Sequence, residues 1–401
     1  MDGDAFFVGV EMAKNPKLKG KPVVTGEERG IASALSYEAK ALGITRGMSI
    51  YKIKKDYSKV IVLPGDYKAY VSYSAKMFDI VRRYIDDVEE YSIDECFADI
   101  TGYEKVLKMT TKEIAERIKK EIKDELDISI SVGLAPTKVL AKVASKYVKP
   151  NGFTVIEKNK IKDFLSQTPI EKIWGIGPKT SEFLIKKNIK TAQNFVDKDI
   201  SWVKENLSKP YEIIWRELKG EYILEIDPKP KTEYSSIQKT ETFHPATNDK
   251  VYLISQLSKN IEGACAKARH YKMFPKRVSF FLKSQSFKYY KCLVKLTTPT
   301  NAPEIINSLL DTKFSEMHTK GVLYRTTGVT LEELTPDSVS QGDLFGNDIK
   351  AKKFETIHKQ IDNLEAKFGK GLVYLASTHK ALKNKRKGTD SDDLDRDLLF
   401  L

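Results

Sequence analysis

The sequence predicts an α+β protein of several domains. Three observations predict it. The chain has 401 residues, too many for one compact core. Strand-like and helix-like segments alternate through its N-terminal half. A proline–lysine linker, Asp227-Pro228-Lys229-Pro230-Lys231-Thr232, then sets off a strongly basic segment.

Each element has its own signal. Val60-Ile61-Val62-Leu63 reads as a buried strand closed by Pro64-Gly65, and 67–84 has helical spacing. Residues 90–99 read as two short strands around a turn at Ser92-Ile93-Asp94-Glu95, and 128–132 alternate as a strand should. A helix follows over 136–147, with Pro136 near its first turn, and Lys149-Pro150-Asn151-Gly152 is a turn cluster. Beyond the linker, 278–284, 289–296 and 327–331 read as strands, and 251–268 and 303–314 as helices. The tail over 383–397 is first basic and then acidic, which predicts disorder.

Composition narrows the class. Hydrophobic residues make up 41%, enough to form cores. No apolar run approaches the roughly 20 residues of a membrane span, and no signal-peptide pattern opens the chain. Cys96, Cys265 and Cys292 have neither zinc-like nor disulfide-like spacing, which fits a reducing, cytoplasmic setting. The net charge is +13. Residues 228–300 hold fourteen Lys and Arg against four Asp and Glu, so that segment carries most of the excess. Its charge reads either as a footprint for nucleic acid or as a solvated lysine-rich surface.

The informative acids are Asp2, Asp4, Asp94, Glu95 and Asp99. Phosphoryl transfer needs charge neutralised on the phosphates and on the attacking oxygen. Two magnesium ions about 3.5–4 Å apart do both, and carboxylates hold them. A strand-end Asp2 beside the pair Asp94 and Glu95 on a hairpin turn would suffice, because magnesium takes few protein oxygens and keeps several waters.

The flanking residues add a resemblance. Asp2-Gly3-Asp4-Ala5-Phe6-Phe7-Val8-Gly9-Val10-Glu11 resembles the first signature of Y-family DNA polymerases. Residues 91–102 (Tyr91-Ser92-Ile93-Asp94-Glu95-Cys96-Phe97 onward) resemble their second, and Ser131-Val132-Gly133-Leu134-Ala135-Pro136-Thr137-Lys138-Val139-Leu140-Ala141-Lys142, closed by Lys149-Pro150-Asn151-Gly152, their third. The motifs stand in family order, and a weaker likeness runs to about Ser377. The resemblance implies that Asp2, Asp94 and Glu95 hold two Mg2+ ions, with the Gly3 carbonyl completing one site. It implies that Phe7 is a steric gate against a ribonucleotide 2′-hydroxyl, with Phe6 beside it at the nucleotide. Tyr37, Lys40 and Lys149 match residues that contact the triphosphate, although the family often has arginine at Lys40 and a lysine orients phosphate less well. Family members carry several apolar residues before the first aspartate, where this chain has only Met1, so a ligand at Asp2 risks fraying.

Ile173-Trp174-Gly175-Ile176-Gly177-Pro178-Lys179-Thr180 resembles a helix-hairpin-helix turn. Gly175 and Gly177 would let the backbone approach a DNA phosphate, with Lys179 adding charge. Lys276, Arg277, Lys283 and Lys288 are candidates for phosphate contact in the basic segment. Gln341-Gly342-Asp343-Leu344-Phe345 resembles the peptide by which bacterial polymerases dock on the sliding clamp, with Gln341 as polar hook and Leu344 and Phe345 as anchors. An ordinary exposed loop is the competing reading there, and 398–401 is a weaker second candidate.

The family implies a polymerase right hand. Its palm would be 1–10 and 67–156, its fingers 11–66, and its helical thumb with the helix-hairpin-helix 157–226. A linker over 227–233, an α+β little finger over 234–335 and a tail over 336–401 would follow. The implied function is low-fidelity, template-directed DNA synthesis past lesions, in DNA repair and the SOS response. The partners would be primer-template DNA, dNTP and a sliding clamp, with the chain itself a monomer. Elements resembling the polymerase IV branch (the first signature, Lys149 to Gly152) and the polymerase V catalytic subunit (38–43, 174–177, 296–300) are mixed. Two other readings compete: a non-catalytic DNA- and clamp-bound scaffold, and another two-metal palm enzyme such as a nucleotide cyclase. The scaffold would not need Asp2, Asp94 and Glu95 together. The cyclase would not need the Gly175/Gly177 turn, the basic segment or 341–345.

Overall fold

A strand of only two residues lies at the centre of the largest sheet in the N-terminal part of the chain. The computed structural model describes residues 1–229, 234–336, 347–369 and 371–383. They divide into two compact units, with the division at 230/231.

The strands of the first unit, in chain order, are β1 (Asp2–Gly3), β2 (Val23–Thr25), β3 (Ala34–Leu35), β4 (Ile61–Leu63), β5 (Val88–Ser92), β6 (Glu95–Ala98), β7 (Ile130–Leu134) and β8 (Phe153–Val155). Five form a sheet in the order β5-β6-β1-β7-β8, and three form a smaller sheet in the order β3-β2-β4. Against the risk of fraying, the backbone of β1 is bonded on both sides. The Met1 amino group donates to the Cys96 carbonyl at 2.8 Å, and the Cys96 N–H donates back to the Met1 carbonyl at 3.2 Å. The Gly3 N–H reaches the Asp94 carbonyl at 2.7 Å, and the Asp4 N–H reaches that of Ser129 at 2.9 Å.

Two amphipathic helices supply much of the core beside this sheet. Tyr67–Arg82 is capped by Asp66, whose carboxylate accepts from the Ala69 N–H at 3.1 Å. It buries Tyr70, Met77, Phe78 and Val81 at helical spacing. Thr111–Leu126 starts with a Thr110–Glu113 capping box and buries Ile114, Ile118 and Ile122. A third helix, Lys138–Tyr147, starts two residues later than expected. Thr137 caps it by accepting from the Leu140 N–H at 3.3 Å, which leaves Pro136 outside. This helix lies so close to β7 that a Cβ on Gly133 would come within 2.2 Å of the Ala141 carbonyl oxygen. Glycine is needed there for space.

Short helices from Ile161 to Leu218 build a separate helical core from Leu165, Leu184, Phe195, Val203 and Leu218, closed by Val139, Leu140 and Val143 of the third helix. Glu217 ties the two parts together. It is fully buried, and its carboxylate accepts from the backbone N–H groups of Val139 (3.2 Å), Ile223 (2.8 Å) and Leu224 (2.7 Å). A buried carboxylate is tolerable when so satisfied.

The second unit holds β9 (Ser236–Thr247), β10 (Met273–Ser284), β11 (Tyr289–Lys295) and β12 (Tyr324–Pro336), in the order β11-β10-β12-β9. Val278, Phe280 and Leu282 of β10 share a core with Leu257, Ile261, Leu310 and Phe314 of the helices Lys250–His270 and Pro303–Met317. The alternate residues of β10 and β11 belong to the other face. Part of the segment expected as tail is helical, over Asn347–Phe368. It docks through Arg269 on Asp362 (2.7 and 2.8 Å) and His358 on Glu304 (2.8 Å). The expected disordered stretch from 384 on, and 398–401, lie outside the described residues. Among the described residues the three cysteines are free and buried, and no helix is long and apolar enough to cross a membrane.

Candidate active site

The antiparallel register of β1 and β6 sets Asp2 directly opposite Glu95. Asp94 precedes Glu95 in the tight turn between β5 and β6, and its carbonyl is the acceptor that anchors Gly3. The three acids therefore meet at one corner of the sheet, although 92 residues separate Asp2 from Asp94 in sequence. Ser92 donates its hydroxyl to Asp94 Oδ1 at 2.9 Å, which fixes that carboxylate.

The charge crowded into this corner is met by lysines. Lys142 is almost fully buried, with its ammonium on Asp2 Oδ2 and 2.7 Å from Glu95 Oε1. Lys149 pairs with the other Asp2 oxygen. Burial alone would raise the Asp2 pKa, but the two ammonium groups bring it down to about 2. Burial raises Asp94, against the pull of the Ser92 bond, and the Asp2 charge raises it further. Burial also raises Glu95, against Lys142. Carboxylates placed this way call for a cation. An oxygen-only donor set fits a hard divalent ion. Among the described residues, however, no three such side chains are arranged as a ready-made metal cage. In the arrangement described, ammonium groups supply the positive charge.

The other two acids have different partners. Asp4 accepts from the hydroxyls of Ser129 (2.7 Å) and Ser131 (2.8 Å) and from the Asn151 N–H (2.7 Å), so it braces the Lys149–Gly152 turn against the sheet. Asp99 accepts from the Thr101 N–H at 2.9 Å, beyond the far end of β6.

Tyr37, Lys40 and Lys149 converge beside Asp4. Lys149 Nζ is 3.4 Å from Asp4 Oδ1, and the Lys40 ammonium sits 4.2 Å above the Tyr37 ring. Burial, then the charges of Asp4 and Asp2, raise the Tyr37 pKa, so its hydroxyl stays a donor. Burial and the nearby Lys149 lower that of Lys40. Phe7 is partly buried and stacks on Tyr70 at 4.3 Å and 9°. Tyr70 is fully buried, meets Tyr67 edge-on and donates to Glu11 at 2.9 Å, so the Phe7 ring has a rigid backing. Phe6 is 4% exposed and packs in the core with Val10 and Tyr70.

At the helix-hairpin-helix turn, Gly175 has φ 87° and a Cβ there would lie 2.6 Å from Ile214 Cδ1. Gly177 caps the helix Pro178–Lys186, and a Cβ there would meet open space. Lys179 is exposed in the first turn. In the second unit Lys276 is exposed, and Lys283 and Lys288 lie over the rings of Tyr289 (5.0 Å) and Tyr290 (5.6 Å). Arg277 is paired with Glu332 at 2.8 Å and Glu333 at 3.2 Å, so part of its charge is matched within the sheet. Gln341, Leu344 and Phe345 lie outside the described residues.

Sequence reasoning missed Lys142 and Tyr70. Lys142 had a signal, as a single charge inside the apolar run Leu140-Ala141-Lys142-Val143-Ala144. Tyr70 gave none beyond its place on a buried helix face.

Three family models match the chain. The impB/mucB/samB family covers residues 1–146, its C-terminal domain 234–344, and the IMS family HHH motif 158–189. The chain is 30% identical over 400 residues to DNA polymerase IV 1 of Bacillus subtilis (strain 168), covering 97% of this chain and 94% of that protein. It is 29% identical over 380 residues to DNA polymerase IV of Desulfatibacillum aliphaticivorans, covering 93% and 94%. Among solved structures it is similar to a Y-family DNA polymerase chimera, with TM-score 0.70 and 25% identity over 84% of this chain and 98% of that one. An insertion ternary complex of Dbh DNA polymerase matches with TM-score 0.54 and 26% identity over 84% and 98%.

The two glycines of the turn should separate by stability. Gly175→Ala should cost about 1–3 kcal/mol, from a disfavoured φ and a clash with Ile214, while Gly177→Ala should cost almost nothing. Denaturant unfolding of both variants measures this. Equal stabilities would show that Gly175 carries no strain requirement.

Proposed function

The chain belongs to the Y-family of translesion DNA polymerases, the impB/mucB/samB family, and we propose on that premise that Asp2, Asp94 and Glu95 hold two magnesium ions for nucleotidyl transfer. It is a DNA-directed DNA polymerase of the lesion-bypass type. The observation that carries the proposal is the meeting of these three acids at one sheet corner, with Glu95 the register partner of Asp2.

The Gly3 carbonyl would complete one of the two ion sites. The bound ions would neutralise the triphosphate and the primer 3′-oxygen. Lys149 and Lys40 bring positive charge to the triphosphate, and Lys142 holds Asp2 and Glu95 in register. Tyr37 offers its hydroxyl as a donor. Phe7 lies against the deoxyribose. Backed by Tyr70, its ring does not yield to a 2′-hydroxyl, so ribonucleotides are excluded by contact.

The Gly175–Gly177 turn, with Lys179, grips duplex phosphate without reading sequence. Lys276, Lys283 and Lys288 add phosphate contacts in the second unit, and Arg277 contributes less because its partners are internal. We keep the palm, fingers, thumb and little finger at the bounds expected from the sequence, and join to the little finger's unit the helix Asn347–Phe368 that docks on it. We assign a monomer acting in the cytoplasm in DNA repair and the SOS response. It docks on a sliding clamp through Gln341, Leu344 and Phe345.

Three outcomes follow. Asp94→Ala should lower primer extension with magnesium on the order of a thousandfold, with duplex binding retained. Robust synthesis by that variant refutes the ligand role. Phe7→Ala should raise ribonucleotide incorporation about tenfold or more, read in single-nucleotide extension, and unchanged sugar discrimination removes the gate. The Leu344→Ala, Phe345→Ala double variant should weaken clamp affinity about tenfold or more by calorimetry, and equal affinity ends that assignment.

A further inference from the structure

Trp174 precedes Gly175 in the loop that leads into the helix Pro178–Lys186. Its indole packs at the edge of the helical core and also lies on the hairpin of β5 and β6. It meets Tyr91 edge-on, with centroids 5.2 Å apart at 84°, and Phe97 at 5.7 Å and 46°. Its Nε1–H donates to the Tyr91 hydroxyl at 3.1 Å. Tyr91 and Phe97 also meet each other, at 5.8 Å and 72°. Asp94 and Glu95 stand between them in sequence. Ser92, the neighbour of Tyr91, is the residue whose hydroxyl fixes Asp94.

A continuous path of contacts therefore runs from the loop at Gly175 through Trp174, Tyr91 and Ser92 to Asp94. Tyr91 keeps 47% of its surface exposed, so burial alone does not explain how its ring is held. The hairpin face is closed further by Lys138, which pairs with Glu89 and lies 5.6 Å over the Phe97 ring. Glu89 also accepts from the Asp227 N–H at 2.8 Å, where the chain returns from the helical region. The hairpin that carries two of the three acids is thus tied twice to the helical region.

We propose that Trp174 is a positioning residue for nucleotidyl transfer. It locks the Asp94–Glu95 turn to the Gly175–Gly177 loop, so that a duplex phosphate held by the loop steadies the carboxylates. The proposal rests on the reading of Asp94 as a metal-holding acid. An indole–phenol bond at a partly exposed site adds little to folding. A small displacement of a carboxylate that holds a reacting centre costs far more in rate.

The test uses the full chain with Trp174→Phe, Tyr91→Phe and the double variant, in single-turnover insertion on saturating primer-template. Duplex affinity by fluorescence anisotropy, the magnesium dependence of the rate and the melting temperature are read alongside. Each single variant should lower the maximal rate about tenfold and raise the magnesium needed for half-maximal rate. Duplex affinity should stay within about twofold and melting should not change. The double variant should be no slower than either single one, because both remove the same bond. Lost duplex affinity with a preserved maximal rate would make Trp174 part of the grip alone and overturn the proposal. Unchanged rates, or losses that add in the double variant, overturn it as well. Asp94→Ala separates the two levels. If that variant is dead while Trp174→Phe is normal, only the lock fails. If it still synthesises, the carboxylate assignment fails.

Discussion

The structure depends on one electrostatic constraint: three carboxylates must share a partly buried corner of a sheet. Like charges in a low-dielectric setting repel, and their ionised forms are costly to bury. Here Lys142 and Lys149 reach in from the helix Lys138–Tyr147 and the turn after it to meet that charge. The helix can bring Lys142 so near because Gly133 has no side chain to keep it off β7. Asp4, through two serine hydroxyls and the Asn151 N–H, pins the turn that carries Lys149. Backbone spacing at one glycine and one braced turn thus decide whether the acids can stand together.

The remaining groups of the site arrive on independent supports. Phe7 belongs to the helix Phe6–Lys14 that follows β1, and its backing, Tyr70, belongs to the helix Tyr67–Arg82. Tyr37 and Lys40 come from the short helix Tyr37–Ala41 beside the smaller sheet, capped by Ser36, which accepts from the Ala39 N–H at 3.1 Å. Elements far apart in sequence therefore converge on Asp2 and Asp4, which sit in the central strand and directly after it.

Much of this was legible in the sequence because it is local. The hairpin around Asp94, the helices at 67–82 and 250–270, and the strands of the second unit all follow from apolar periodicity and turn residues. The convergence of Asp2 with Asp94 was not local and came from the order of the motifs. What stayed illegible depended on tertiary context. Phe6 and Phe7 are identical neighbours, and only the direction of their helix face decides that one is core and the other borders the site. Arg277 looks like its basic neighbours until β12 sets Glu332 opposite it. The helix Asn347–Phe368 was readable and was passed over as tail. Phe354, Ile357, Ile361, Leu364 and Phe368 recur at intervals of three and four, a helical stripe.

If Phe7 is the proposed gate, its stacking on Tyr70 has a consequence for accuracy. A flat ring braced by a second flat ring tests one feature, the face of the sugar, and all four deoxynucleotides present that face alike. Such a gate would be strict about ribose and blind to which letter the sugar carries. Choosing the letter is left to pairing with the template, so a misread or damaged template base meets no objection from this part of the protein.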